Sequence, residues 1–217
     1  MKRVLPVLVA FVFVAGCGGG STDERTTVKV YFLRDGKVWP VSREVEQADV
    51  GTAVDELVAG PTEREQSELT LSSELLAEDA EPSKAGLAQL VYTMTQFASA
   101  DSVELVGGAT YTRADFEEQT PLILVESPLA YEEVSSPLRV TGTANTFEAT
   151  FQYELKDSAG EVVDEHFVTA TSGTGTRGTF DFTTKPFEDV GSLVVFELSA
   201  KDGLRVNEVE IPLRSSR

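Results

Sequence analysis

The sequence predicts an α+β protein in which a small two-layer α/β domain is followed by an all-β antiparallel sandwich. Three observations lead to this expectation. Apolar residues recur at helical spacing only between residues 49 and 97. Residues 27–45 and the chain from residue 122 onward alternate between apolar and polar residues, as strands do. The 217 residues suffice for two cores of roughly 100 residues each.

The first residues have the layout of an export signal. Lys2 and Arg3 precede an apolar run that is too short to span a bilayer, which needs about 20 residues. The run ends in a sequence that resembles the lipobox of bacterial lipoproteins. In that motif Val14, Ala15 and Gly16 are recognised by the signal peptidase, and Cys17 is acylated. The alternative is an ordinary secretory signal, residues 1–16, whose cleavage site happens to include a cysteine.

The charge of the chain limits its partners. The formal net charge is −18, and cleavage before Cys17 removes two basic residues and no acidic one. Nucleic acid and anionic lipid headgroups would be repelled, so an acyl anchor and not surface charge must hold the protein to a membrane. With its one cysteine acylated, the mature chain has no disulfide.

Residues 17–26 are polar and rich in glycine, which predicts a flexible tether before a first domain at residues 27–108. The alternation of Val28, Val30 and Phe32, followed by Asp35-Gly36, predicts a β-hairpin.

Two helices are expected next. The first begins at the candidate N-cap Asp49 and ends at Gly60-Pro61, and the second follows Pro82 and Ser83. Their apolar stripes consist of Ala53, Val54, Leu57 and Val58, and of Leu87, Leu90, Val91, Met94 and Phe97. We expect both stripes to cover one sheet formed by strands at 28–33 and 101–106.

A linker is predicted at residues 109–120, where no periodicity persists, and a β-sandwich at 121–214. Seven candidate strands begin at residues 122, 138, 147, 161, 178, 192 and 204. In the third of these, Phe147, Ala149, Phe151, Tyr153 and Leu155 are expected to face the core, and Glu148, Thr150, Gln152 and Glu154 to face solvent.

Several segments resemble two known domain families. VYFLRDG at 30–36, VSR at 41–43, LVAGPT at 57–62 and LVYTMTQF at 90–97 are similar to the GerM-type domain of spore-germination and sporulation proteins. The second half resembles the immunoglobulin-like domain of bacterial spore germination. Its matching residues are SPL at 127–129, SPLRVTGTANTFEATF at 136–151, the Asp-x-x-Gly turn at 157–160, and KDG followed by IPL near the end.

The resemblance implies an extracytoplasmic role in assembling an envelope or coat complex, through protein or cell-wall contacts, without a catalytic mechanism or a cofactor. The GerM-type pattern ordinarily carries extra strands where this chain passes from Gln66 to Leu69, so its first domain is a shortened version.

Residue chemistry agrees with a non-catalytic protein. The only histidine, His166, is expected to face solvent together with Asp164 if Val163 and Phe167 face the core. The carboxylates that a glycosidase would need are expected on turns and exposed helix faces, at Glu44, Glu46, Asp55, Glu56, Glu74, Asp79 and Glu81. Asp157, Asp164 and Glu165 are weak calcium candidates, and Asp157 with Gly160 is more simply a turn.

Two features are candidates for recognition. The glycine-rich sequence SGTGTRG at 172–178 is interpreted as a mobile hairpin loop, with a contact loop at one end of the sandwich as the functional alternative. Trp39, Tyr111 and Tyr131 are the aromatic residues with a loose claim to bind polysaccharide.

We therefore expect a lipid-anchored binding or assembly protein of the cell envelope, on the outer face of a membrane, that contacts an envelope protein or the cell wall. The alternatives are an envelope polysaccharide-binding module and a carboxylate-dependent cell-wall hydrolase.

Overall fold

The computed structural model describes residues 26–76, 81–105 and 107–216. The chain divides into two compact units, the first ending at Gln119 and the second beginning at Thr120. Within the described ranges, neither helix has the length and apolar character needed to cross a membrane.

The first unit is built on an antiparallel hairpin. Strand β1 (Thr26–Arg34) pairs along its whole length with β2 (Lys37–Val45). Asp35 and Gly36 form the two-residue connection with φ of 51° and 75°, the positive values that a type I′ turn requires. The predicted hairpin is therefore confirmed.

The two predicted helices are present, and the first has its predicted N-cap. Helix α1 (Val50–Ala59) begins at Asp49, whose Oδ1 accepts a hydrogen bond from Thr52 N at 2.8 Å, and ends at Gly60. Helix α2 (Lys84–Met94) begins at Ser83, whose hydroxyl accepts from Gly86 N. Both helices pack against β1.

Side chains from α2 and from the turn that follows it hydrogen-bond the edge of β1 that β2 leaves open. Gln96 accepts from Lys29 N and donates to Lys29 O, both at 2.7 Å. Thr93 accepts from Tyr31 N at 3.1 Å, and Gln89 Nε2 donates to Tyr31 O at 3.2 Å. Gln89 and Thr93 lie four positions apart on one face of α2, and Gln96 lies in the turn that follows the helix.

The same edge is completed by backbone from the segment between the helices. Leu33 and Thr70 exchange N–H···O hydrogen bonds at 2.9 Å in both directions. The backbone polar groups of β1 at Lys29, Tyr31 and Leu33 are thus satisfied without a further strand.

The closed edge of β1 explains why the expected sheet of strands at 28–33 and 101–106 was wrong. The segment at 101–106 does not join the hairpin: β3 (Val103–Glu104) pairs with β4 (Thr110–Tyr111) in a ladder of its own. The place beside β1 that a third strand would take is occupied by α2 side chains and Thr70.

Residues 109–119, expected to be linker, pack into the first unit. After β4, a 3₁₀ segment (Arg113–Gln119) buries Phe116 to 1% exposure. Arg113 Nε donates to Thr95 Oγ1 at 2.8 Å, and its guanidinium lies 4.6 Å from the ring centre of Tyr92. The ring of Phe116 and the guanidinium of Arg113 hold this segment against α2. Two single residues produce no periodic pattern in the sequence, so this packing was not predicted.

The second unit contains seven strands of five to eight residues and two short ones. In chain order they are β5 (Ile123–Ser127), β6 (Glu133–Val134), β7 (Arg139–Ala144), β8 (Thr150–Lys156), β9 (Val162–Thr169), β10 (Gly178–Thr183), β11 (Ser192–Leu198), β12 (Arg205–Pro212) and β13 (Arg214–Ser215). The seven longer strands lie where the sequence predicts them.

These strands form two antiparallel sheets, of order β10-β7-β5 and β12-β11-β8-β9. Phe151 of one sheet contacts Phe180 of the other, with ring centres 4.9 Å apart and an edge-to-face geometry. Val140, Leu155 and Leu193 are fully buried. The core therefore lies between two stacked sheets, as expected for a sandwich.

Glu154, expected to face solvent, is only 6% exposed. Arg205 reaches across from β12, donates to both of its carboxylate oxygens, and lies 4.0 Å from the ring centre of Phe196. The long cationic side chain covers the carboxylate, so a polar residue is buried on the outer face of the sheet.

We predict that Gln89→Met destabilises the first unit by about 2 kcal/mol. Methionine keeps the shape of the side chain but leaves Tyr31 O and Ser72 N without their glutamine partner, and unsatisfied buried groups cost about 1–3 kcal/mol each. The measurement is urea unfolding followed by fluorescence of Trp39, the sole tryptophan, which lies on β2.

The matched control is Gln66→Met, because Gln66 is exposed and its side chain donates to Pro61 O at the surface. Equal unfolding midpoints for the two variants would contradict the role assigned to Gln89.

Candidate binding surface

The residues that the sequence assigns to lipidation and cleavage lie outside the described part of the chain. These are Cys17 and the recognition residues Val14, Ala15 and Gly16. Their assignment stays a prediction.

His166 is exposed on β9, but the faces of this strand are reversed from the expectation. Asp164 is buried at 4% exposure, whereas Val163 is 44% and Phe167 60% exposed. Leu155 pairs with Asp164 but Lys156 pairs with Val162, so Val163 is an extra residue on β9, and this irregularity changes which residues point inward.

Asp164 is a structural carboxylate. Its Oδ2 accepts from Tyr153 Oη at 2.6 Å and from Lys185 N at 2.9 Å, and its Oδ1 accepts from Lys185 Nζ at 2.9 Å. Burial alone would raise the pKa of Asp164, but these hydrogen bonds outweigh it and hold the pKa below its usual value. Burial and the adjacent carboxylate raise the pKa of Tyr153.

The calcium candidates do not converge. Asp157 accepts from Ala159 N and Glu161 N, both at 2.9 Å, which is the hydrogen bonding of a turn. In the ranges described, no three His, Cys, Asp or Glu residues are placed to hold a metal ion together.

The carboxylates considered for a hydrolase lie at the surface of the first unit. Glu44, Glu46, Asp55 and Glu81 are exposed, Glu56 and Glu74 are half-buried, and Asp79 lies outside the described residues. Glu74 accepts from Ser72 Oγ, and Glu56 lies 3.9 Å from Arg43.

The candidate aromatic residues lie on separate elements of the two units. Trp39 lies on β2 under the guanidinium of Arg34, and Tyr111 lies on β4 against Phe116. Tyr131 belongs to the second unit, where it is 60% exposed beside Arg214.

The glycine-rich segment at 172–178 belongs to a different surface, at one end of the sandwich. Three connections meet at one end of the sandwich, because the paired strand ends Thr150, Thr169 and Leu198 lie there. We call this end the apex and define it as residues 145–149, 170–177 and 198–206.

Hydrogen bonds join the connections of the apex. The segment at 172–178, expected to be a mobile hairpin loop, is not a hairpin, because it links β9 of one sheet to β10 of the other. Thr174 N donates to Thr146 O at 2.9 Å, and Glu148 N donates to Thr174 Oγ1 at 3.0 Å. Gly175 N donates to Asn145 Oδ1 at 2.8 Å. A Cβ atom at Gly173 would lie 2.5 Å from Ala149 Cα, so this close approach requires glycine.

A buried carboxylate joins the third connection to the first. Glu197, 8% exposed at the end of β11, accepts from Phe147 N at 3.0 Å and from Asn207 Nδ2 at 2.6 Å. One side chain thus holds the turn before β8 against the β11–β12 hairpin.

Backbone strain concentrates around the apex. Six non-glycine residues in the described ranges have positive φ, and Glu148, Ala149, Thr174 and Asn207 are four of them, at 52–59°. Such conformations cost about 1–3 kcal/mol each and cluster where a binding surface is held in advance. The hydroxyl of buried Thr146, beneath these turns, has no hydrogen-bond partner within the described residues.

The strained turns expose apolar side chains. Phe147 is 61%, Leu204 66%, Leu198 47% and Val206 39% exposed. Phe147 was expected in the core because it continues the alternation of β8. Left-handed Glu148 and Ala149 break that alternation and turn the ring outward; Asn145-Thr146, a turn-favouring pair, was the signal available in the sequence.

Two antiparallel sheets of three and four strands, packed face to face, define the second unit as an immunoglobulin-like domain. Residues 122–204 match the family described as the immunoglobulin-like domain of bacterial spore germination. The match runs from the start of β5 to the β11–β12 hairpin and includes most of the apex. Comparison with curated proteins and with solved structures finds no match.

We predict that Asp164→Asn lowers the stability of the second unit by about 2 kcal/mol at pH 7, since hydrogen bonds to a charged group contribute about 1.5–3 kcal/mol. The folded pKa of Asp164 lies below its unfolded value, near 3.9. The stabilisation that Asp164 contributes is therefore complete above the unfolded pKa and is lost as the pH falls through the folded pKa. Urea unfolding followed by circular dichroism at several pH values measures this, and Trp39 fluorescence identifies the transition of the first unit.

Asp181→Asn serves as the control, because the Asp181–Arg139 pair is solvent-exposed and contributes little. If the difference in unfolding free energy between wild type and Asp164→Asn persists unchanged at pH 2, ionised Asp164 is not the source of the stabilisation.

Proposed function

We propose that this chain is a lipid-anchored, non-catalytic binding protein of the cell envelope, which contacts an envelope protein through the apex of its immunoglobulin-like domain. The observation that carries the proposal is the apex itself, where strained and hydrogen-bonded turns hold exposed apolar side chains. A surface fixed before binding loses less conformational entropy when a partner docks.

The extracytoplasmic location is supported by the leader. Lys2, Arg3 and the short apolar run before Val14-Ala15-Gly16-Cys17 have the order of a lipoprotein signal. The family that residues 122–204 match is named for bacterial spore germination, which involves the cell envelope. We infer a germination-protein-like role in assembly on the outer face of a membrane.

We further propose that the first unit is a shortened GerM-type domain. The segment TMTQF at 93–97 resembles that family and supplies Thr93 and Gln96, which bind the edge of β1. Thr93 and Gln96 thus stabilise the fold of the first unit. We therefore assign binding of the envelope protein to the second unit.

The chemistry of the apex favours a protein partner over a polysaccharide. Its most exposed apolar residues are one phenylalanine and aliphatic side chains, with Lys201 and Asp202 beside them. A polysaccharide site uses aromatic rings aligned on one face, whereas protein interfaces use an apolar centre with a polar rim.

We predict that bacteria expressing the wild-type chain yield a diacylated Cys17 peptide from the membrane fraction, measured by mass spectrometry. With Cys17→Ser the chain is expected to stay unprocessed or to be shed into the medium, because the thiol is the group that accepts the lipid. An unmodified, soluble N-terminus in the wild type would exclude the lipid anchor.

We predict that a photoreactive amino acid at Lys201 captures an envelope protein in intact cells, and that Phe147→Ser lowers the yield by about tenfold or more, as expected for a central aromatic anchor. Phe167→Ser is the matched control, because Phe167 is equally exposed but lies in β9. Adducts that are removed by a muramidase and not by a protease would favour the polysaccharide alternative, and equal loss with both variants would exclude the apex as the binding surface.

A further inference from the structure

The turn that carries Phe147 is bonded to the interior of the four-stranded sheet through Glu197. This residue lies on β11, which has β12 on one side and β8 on the other. Its carboxylate is buried, with one oxygen accepting from Phe147 N at 3.0 Å and the other accepting from Asn207 Nδ2 at 2.6 Å. Hydrogen bonds to a carboxylate are short and strong, so they hold the side chain in one orientation. Glu197 is therefore a fixed point from which the turn is positioned.

The β11–β12 hairpin closes through hydrogen bonds of its own. Ser199 N donates to Leu204 O, and Gly203 N donates to Ser199 O, both at 2.8 Å. The exposed side chains of Leu198 and Leu204 belong to this hairpin, so their positions are set by its backbone. The position of Phe147 relative to these two side chains is set instead by the bond to Glu197, which joins its turn to the strand that begins the hairpin.

The turn itself has a less strained alternative. Glu148 and Ala149 are left-handed, at φ of 54° and 59°, which is costly for residues other than glycine. Extended backbone at these two residues would continue the alternation of β8 and change the direction of the Phe147 ring. The bond from Phe147 N to Glu197 opposes this change. Thr174 also bonds the turn, but it lies in a connection and not on a strand.

We propose that Glu197 is the positioning residue of the apex. It holds the ring of Phe147 at a fixed place relative to Leu198 and Leu204, so a protein partner meets all three side chains together. The inference rests on the proposed function, and it adds that the contribution of Phe147 to binding depends on a buried group that the partner does not touch. A ring that is held before docking loses less conformational entropy when the partner binds.

Photocross-linking in intact cells, with the photoreactive amino acid at Lys201 of the full chain, tests this role. Glu197→Met removes both acceptors while keeping the length of the side chain, and is expected to lower the yield of the adduct about fivefold. Glu197→Gln keeps an oxygen that accepts from Phe147 N, and its amide nitrogen donates to Asn207 Oδ1 once that amide has rotated. This conservative variant is expected to keep the yield within about twofold of wild type.

Asp164→Asn controls for a general loss of stability. Asp164 is also a buried carboxylate of the four-stranded sheet, but its partners Tyr153 and Lys185 lie outside the apex. This variant is expected to leave the yield of the adduct unchanged, because it does not alter the position of Phe147.

A double substitution shows whether Glu197 acts through Phe147. In a chain that carries Phe147→Ser, the addition of Glu197→Met is expected to lower the yield no further, because the ring that Glu197 positions is already absent. A general weakening of the second unit would lower the yield by the same factor with and without Phe147→Ser.

The inference is overturned if Glu197→Met gives the wild-type yield, or if Glu197→Gln or Asp164→Asn lowers the yield as much as Glu197→Met does. It is also overturned if Glu197→Met lowers the yield by the same factor in the Phe147→Ser chain. Each of these results leaves the proposed function standing, because the wild-type chain still gives the adduct. Absence of an adduct from the wild-type chain overturns the proposed function, and this inference with it.

Discussion

The first unit depends on how the open edge of β1 is satisfied. A two-stranded hairpin leaves one row of backbone N–H and C=O groups without partners, and burying such groups unpaired is costly. Gln89 and Thr93 of α2, and Gln96 in the turn after it, meet this requirement. Because amide and hydroxyl groups must reach the strand, they fix the position and rotation of the helix. The contacts of α1 and of the segment containing Phe116 then follow from where α2 lies.

In the second unit, the core and the apex are stabilised by different interactions. The sandwich is closed by ordinary apolar packing, whereas the apex is held by polar groups: the carboxylate of Glu197, the hydroxyl of Thr174 and the amide of Asn145. Hydrogen bonds impose direction where apolar contacts do not. The apex therefore has a defined shape although its outer side chains are apolar. Polar groups that fix the backbone beneath apolar side chains explain how Phe147 is exposed on a loop of defined shape.

Local signals in the sequence predicted local structure well. The turn at Asp35-Gly36, the cap at Asp49, the start of α2 after Ser83 and the seven longer strands of the sandwich depend on neighbouring residues, which the sequence displays side by side. Two of the errors concern contacts between distant residues: α2 takes the place expected for the segment at 101–106, and Lys185 covers the carboxylate of Asp164. The third is local, because left-handed Glu148 and Ala149 turn the neighbouring ring of Phe147 outward. The lipidation residues remain predictions from the leader alone.

The order of strands in the sandwich also determines when it closes. β8 and β9 are joined by a short turn, so this hairpin forms from residues close together in the chain. Its other neighbour, β11, pairs Phe196 with Gln152, more than forty residues away. Loop closure over that distance is slow compared with hairpin formation. During synthesis, the β8–β9 hairpin therefore forms before β11 is there to pair with β8, and both of its edges are then open. Aggregation through strand edges is a greater hazard in that interval than in the finished fold.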